Sequence, residues 1–250
     1  MNLIDKAITL ASYLRQPEKR RLIKIAKTFK GLKGIEIGGP SNIFSIKGAM
    51  PVYLFAEKVD GVNFSNKTIW EGKIKEGENY NYYKNLFGFQ YIAEGSDLSL
   101  LKDNQFDFLL SSHSLEHIAN PIKALNHWRR VLKETGRLVL ILPDSSVTFD
   151  RKRPITKLEH LIEDYNNDVQ EDDDTHYNEV IDLHDMDLDK ALGSRDILKE
   201  RTIQNLSYRA VHHHVFNFEL IKDLLSYTGF TVDFQQNFYP FHLITLATKK

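Results

Sequence analysis

Apolar residues recur along the chain in two rhythms. Ile4, Ala7, Ile8, Leu10, Ala11 and Leu14 repeat at helical spacing, and Leu22, Ile23, Ile25, Ala26 and Phe29 do so again beyond Pro17. The first 30 residues are therefore expected to form two short helices. From Gly34 onward short apolar runs alternate with helical patterns, the rhythm of a parallel sheet covered by helices on both faces. Strands are expected at Gly34–Ile37, Val52–Ala56, Tyr91–Glu94 and Phe106–Ser111. A helix follows from Pro121 to Lys133, where Ile122, Leu125, Trp128, Val131 and Leu132 make one stripe. Asn120 is placed to cap it with proline at the first helical position, and Gly136 to end it. Arg137–Leu142 then gives a fifth strand closed by Pro143. The rhythm fails over 150–210 and resumes with a helix from Phe218 to Gly229, then strands at Phe230–Gln235 and His242–Thr248 broken by Pro240. The pattern predicts an α/β fold: a doubly wound, mostly parallel seven-stranded sheet, a C-terminal antiparallel hairpin, and a helical or irregular insertion after strand five.

Length and composition narrow this further. The 250 residues fit one α/β domain over 31–250 behind the N-terminal helices of 1–30, better than two independent cores. Lys and Arg number 33 against 34 Asp and Glu, so no global basic field exists to capture nucleic acid or an anionic membrane. The basic face of Lys19, Arg20, Arg21, Lys24 and Lys27 reads as solvated surface, and so does the acidic run Glu171–Asp174. Cysteine is absent, which removes disulfides, thiolate metal sites and a cysteine nucleophile. No apolar run has the length of a membrane span, and the N-terminus lacks a signal-peptide pattern; a soluble, cytoplasmic protein is expected.

The first chemical signal is GIEIGGPS, Gly34 to Ser41, an acid inside a strand followed by paired glycines. A dinucleotide fingerprint would read G-x-G-x-x-G, with a pyrophosphate resting on the following helix. That spacing is missing, and Glu36 would repel a pyrophosphate. An acid there suits a ligand bearing an ammonium group instead.

GIEIGG resembles the first motif of the class I, Rossmann-like methyltransferases. The stretch FDFLLSSHSLEHIANPIKALNHWRRVLKETGRLVLILPD, from Phe106 to Asp144, resembles their fourth strand, next helix and fifth strand. This resemblance implies S-adenosyl-L-methionine as cofactor. It implies that Glu36 faces the methionyl amine, that Gly38, Gly39, Pro40 and Ser41 form the turn, and that Glu57, with Asp60 in reserve, takes the ribose hydroxyls. Asp97 would take the adenine amino group with Leu98 at the ring, and Ser112 would complete the donor site. Other readings stand beside these: Glu57 as half of a surface ion pair, and Asp97 as a helix cap. The family also implies that 150–210 recognises the substrate.

A methyl acceptor with a high pKa needs a base. His113 and His117, just after the fourth strand, are the first candidates, with packing or loop-fixing as the rival role. In AVHHHVFNF, His212 and His214 of an extended chain would share a face and His213 the other. His213 is taken as a further catalytic candidate. These histidines with His160, Asp164, His176 and His184 include suitable metal ligands, yet rim histidines are commoner than four-ligand sites assembled from an insertion, so no metal is expected. Tyr165, Tyr177 and Tyr208 suit a polyhydroxylated acceptor. The expectation is O-methylation of a small molecule or carbohydrate by in-line displacement, without nucleic-acid or membrane partners and with no oligomeric state specified. The alternatives are a protein or nucleic-acid methyltransferase and a non-catalytic nucleotide-cofactor-binding or metal-binding module.

Overall fold

The computed structural model describes residues 3–68 and 72–250; residues 1–2 of the expected N-terminal segment and the side chain of Ile4 lie outside that description. The chain opens with α1 (Leu3–Arg15) and α2 (Arg20–Lys27), then β1 (Lys33–Ile37), β2 (Lys58–Asn63), the two-residue strands β3 (Lys67–Thr68) and β4 (Gly72–Lys73), β5 (Gly77–Tyr83) and β6 (Leu86–Ile92). After β7 (Phe106–Ser112) come α3 (Pro121–Val131) and β8 (Leu132–Pro143). The insertion holds α4 (Leu158–Asn166), α5 (Tyr177–Leu183), α6 (Arg195–Ile203) and α7 (Asn205–Tyr208). The chain closes with α8 (Phe218–Tyr227), β9 (Phe230–Phe238) and β10 (His242–Lys249).

The main sheet has eight strands in the order β5-β6-β2-β1-β7-β8-β10-β9. Strands β6, β2, β1, β7 and β8 are parallel, while β5 adds an antiparallel edge and β10 runs antiparallel between β8 and β9. The expected C-terminal hairpin is present. The sheet exceeds the expected seven strands by the edge strand β5.

Period-two alternation divides the core between the two faces. Ile35, Ile37, Leu109, Leu138 and Leu140 pack on one side with Trp128 of α3 and Ile221 and Leu224 of α8. Phe108, Leu110, Val139 and Ile141 pack on the other with Leu22, Phe29, Phe44 and Tyr53. Asn120 caps α3 as expected, its side chain accepting from the Lys123 amide at 3.0 Å. Gly136 does not end that helix; β8 begins at Leu132 and runs through it.

The second strand is also displaced from its expected place. Val52–Leu54 is a turn of 3-10 helix with all three side chains buried, and the strand proper is Lys58–Asn63. A short apolar run is buried in either conformation, so its hydrophobicity does not decide between them. Within the basic face, Lys19 is buried rather than solvated, and its ammonium donates to the Lys47 carbonyl at 3.0 Å. No helix among the described residues is long and apolar enough to cross a membrane.

Candidate active site

Two cavities share a wall beyond the carboxyl ends of the parallel strands, where the order reverses between β1 and β7, the usual place for a ligand in such a sheet. The first, about 300 Å³, is lined by Ile37 and Gly38 from β1 and its turn, Val62 and Asn63 from β2, Glu94 and Gly95 after β6, and Ser112 to Ser114 after β7. The insertion covers it with Glu171 and Arg209, so the acidic run expected to be solvated supplies a wall of the site. The second, about 260 Å³, lies against the insertion and includes Asp150, His184, Arg201, Thr202 and His212. His117 lines both. Tyr165, Tyr177 and Tyr208 line neither.

Gly38 holds φ +78°, and a Cβ there would collide with Ser114 Oγ, which donates to the Ile37 carbonyl at 3.0 Å. Only glycine fits this turn. Pro40, Ser41, Ser112 and His113 also border the first cavity.

Glu36 does not. It alternates with Ile35 and Ile37 and so points to the opposite face of the sheet. There it is fully buried, accepting from Tyr53 Oη at 2.5 Å, Tyr80 Oη at 2.7 Å and the Ser41 amide at 3.0 Å. Burial pushes its carboxyl above the usual range, against the pull of these donors. These bonds fasten the turn from behind. Gly39 packs on the same cluster, where a Cβ would collide with the Glu36 carboxylate.

The strand-end acids are likewise placed differently from expectation. Glu57 precedes β2 and pairs on the surface with Lys33 at 3.2 Å, at the end of the strand opposite the cavity. Asp60 lies within β2 and accepts from the Phe89 amide at 2.8 Å. Asn63 occupies the cavity end of that strand. Asp97 is exposed and caps the Ser99 amide at 2.9 Å, and Leu98 is in the core. The acid that borders the cavity after β6 is Glu94, 2.6 Å from Arg209 Nη2.

Among the histidines, His113 has both ring nitrogens turned to partners: Nε2 lies 2.8 Å from His242 Nδ1, and Nδ1 lies 3.4 Å from Glu116 Oε1. His117 donates from Nδ1 to the Val211 carbonyl at 3.0 Å, and burial draws its pKa down to about 4. His213 lies off both cavities, fully buried, 3.2 Å from Asn205 Nδ2. The residue that sequence spacing does not single out as catalytic is His212. Its Nδ1 is 2.5 Å from Asp150 Oδ2, and the other oxygen of Asp150 accepts from Arg153 Nη1 at 2.9 Å. Burial alone would raise the Asp150 carboxyl; His212 and Arg153 instead hold it at about 2. Burial would likewise lower the His212 pKa, and the Asp150 carboxylate lifts it above its ordinary value. Alternation along HHH separates His212 from His213, but Asp150 lies 62 positions away in sequence.

A family model described as a methyltransferase domain matches residues 47–140, from ahead of β2 into β8. Over these residues, and in fold, the chain is similar to the class I, Rossmann-like methyltransferases. The chain is similar in fold to a methyltransferase dependent on S-adenosylmethionine from Mesorhizobium loti, at 14% identity over 93% of this chain and 96% of that one, with a TM-score of 0.53. A second, from Aquifex aeolicus, is 13% identical over 98% of each chain, with a TM-score of 0.50. An uncharacterized protein of Methanocaldococcus jannaschii is 49% identical over 41 residues, which is 16% of this chain; the chain spans only 18% of that curated relative. Both solved structures are described as methyltransferases dependent on S-adenosylmethionine. The glycine cradle at Gly38, the polar end of β2 at Asn63 and the carboxylate of Glu94 fit a ligand with an amino-acid tail, a ribose and an adenine.

Proposed function

We propose that this chain transfers the methyl group of S-adenosyl-L-methionine to a hydroxyl of a small polar molecule or sugar held in the second cavity. The observation that carries this reading is the junction of the two cavities at His117, with the Asp150–His212 pair on the acceptor side. Gly38, Ser41, Asn63 and Glu94 would hold the donor. The bound cofactor supplies an electrophilic methyl on a sulfonium.

The chain's own residues do the rest. Asp150 accepts from Nδ1 of His212, which fixes the tautomer of the neutral ring and leaves Nε2 with a lone pair able to take the acceptor's proton. Glu171 and Arg209 cover the donor cavity and restrict water. Arg201, Thr202 and Asp189 offer hydrogen bonds suited to a polyhydroxylated acceptor. Balanced charge supports a small acceptor over nucleic acid.

The test has two arms. Calorimetric titration with S-adenosyl-L-methionine should give one site per chain. Incubation with pooled sugars, sugar nucleotides and hydroxylated metabolites should then add the mass of one methylene to an acceptor. Failure to bind the donor would refute the donor half, and methylation confined to proteins or nucleic acids would refute the acceptor half.

A further inference from the structure

The insertion gathers a second group of side chains that the methyl-transfer reading does not use. His160 and Asp164 lie one turn apart on α4, His176 immediately precedes α5, and His214 follows the insertion. One ligand atom from each lies within 4.8 Å of the other three. Nε2 of His160 faces Nε2 of His176 at 3.1 Å and Asp164 Oδ2 at 3.5 Å, and Nε2 of His214 is 3.6 Å from the same oxygen.

These separations have a simple meaning. Zinc bonded to nitrogen and oxygen at about 2.0–2.1 Å sets the corners of its tetrahedron about 3.3 Å apart. The three imidazole rings are also evenly disposed, with centroids 5.1, 5.1 and 5.7 Å apart. Asp164 is only 9% exposed, and its Oδ2 has no hydrogen-bond partner. His214 is 1% exposed; its Nε2 also rests against the Ala119 carbonyl at 3.1 Å, and its Nδ1 is buried without a partner. A buried carboxylate oxygen without a donor, beside imidazoles whose nitrogens face one another, is costly as it stands and is satisfied by a cation.

We propose that His160, Asp164, His176 and His214 form a four-ligand site for a divalent transition metal of the zinc class. Four protein ligands make a closed, structural site rather than a catalytic one. On binding, the His214 ring changes tautomer: its proton passes from Nε2 to Nδ1, Nε2 offers its lone pair to the metal, and the ring stays neutral. The position of the site gives it a task. The segment between α4 and α5 carries Glu171, which accepts from Ser96 Oγ at 2.9 Å and Arg209 Nη1 at 2.6 Å over the donor cavity. The metal braces that covering segment from its far side.

A second convergence, Glu116, His117 and His212, belongs to the junction of the two cavities and offers three ligands rather than four. The test separates the two. Protein stripped with EDTA is titrated with zinc alone by calorimetry and with cobalt by visible absorption. One equivalent should bind, cobalt should give the intense bands of tetrahedral coordination, and zinc should protect the segment around Glu171 from proteolysis. His176→Ala and Asp164→Asn should each weaken binding by about 100-fold or more, whereas His212→Ala should retain one equivalent. No binding at about 100 µM zinc, octahedral cobalt in the wild-type chain, or binding lost in His212→Ala and kept in His176→Ala would overturn the proposal. The wild-type cobalt spectrum decides the geometry even if a variant fails to fold, and none of these readouts depends on methyl transfer.

Discussion

Nδ1 of His212 and Oδ2 of Asp150 stand 2.5 Å apart, and the aspartate is held in turn by buried Arg153. In the proposed reaction His212→Gln would remove the proton acceptor, and Asp150→Asn the group that sets its tautomer. Each should lower kcat by about 10²- to 10⁴-fold, the usual contribution of general base catalysis. Only the neutral ring takes a proton, so wild-type kcat should rise with pH through the elevated His212 pKa. Donor affinity, measured by calorimetry, should stay within about twofold, since neither residue borders the donor cavity; a parallel loss of donor binding would contradict the assignment.

Gly38→Val meets two obstacles at once, a positive φ of 78° and a collision with Ser114 Oγ. Thermal unfolding should show a loss of about 1–3 kcal/mol, the cost of a strained backbone position. Donor binding should weaken further than stability alone explains. Retention of wild-type affinity would remove this turn from the donor site.

Glu94 and Asp97 give a direct comparison. They stand close in sequence, but Glu94 borders the donor cavity and Asp97 is exposed. Glu94→Gln should weaken donor binding by about tenfold, the loss of one charge-assisted hydrogen bond. Asp97→Ala should leave affinity within about twofold. The opposite ranking would restore Asp97 to the adenine role.

These positions show how far the sequence is legible. The segment from β7 through α3 to β8 is readable because its apolar runs are long and Asn120-Pro121 marks a helix start. The site is less so. The glycine motif sends Glu36 toward the ligand, whereas alternation with Ile35 and Ile37 sends it to the opposite face. Glu57 follows from assigning the strand to Val52–Ala56, a run that the structure winds into a 3-10 turn. The partners of the three adjacent histidines come from α4, the segment before α5 and Asp150, and no local spacing encodes those contacts.

Acid should destabilise the fold before most of its carboxylates titrate. Burial holds both His117 and His242 at about 4, the latter also through repulsion from His113, against an unfolded value of 6.5. The unfolded chain therefore binds protons that the folded chain refuses, so this stability is fully present above pH 6.5 and is lost as pH falls toward 4. Allowing for the partial exposure of both rings, their combined loss should be roughly 1–3 kcal/mol. His212, raised by Asp150, acts in the opposite sense: its contribution is present below pH 6.5 and fades as pH rises through its folded pKa. The comparison that isolates the effect is therefore between the wild type and His242→Gln. Urea unfolding from pH 7.5 to 4.5, in EDTA so that metal binding does not contribute, should show a shallower acid decline in the variant. The Asp150 carboxyl, held at about 2, loses its contribution only below its ordinary value of 3.8, so the two windows are separate. Identical profiles in the two proteins would mean that the His242 ring titrates normally in the folded chain.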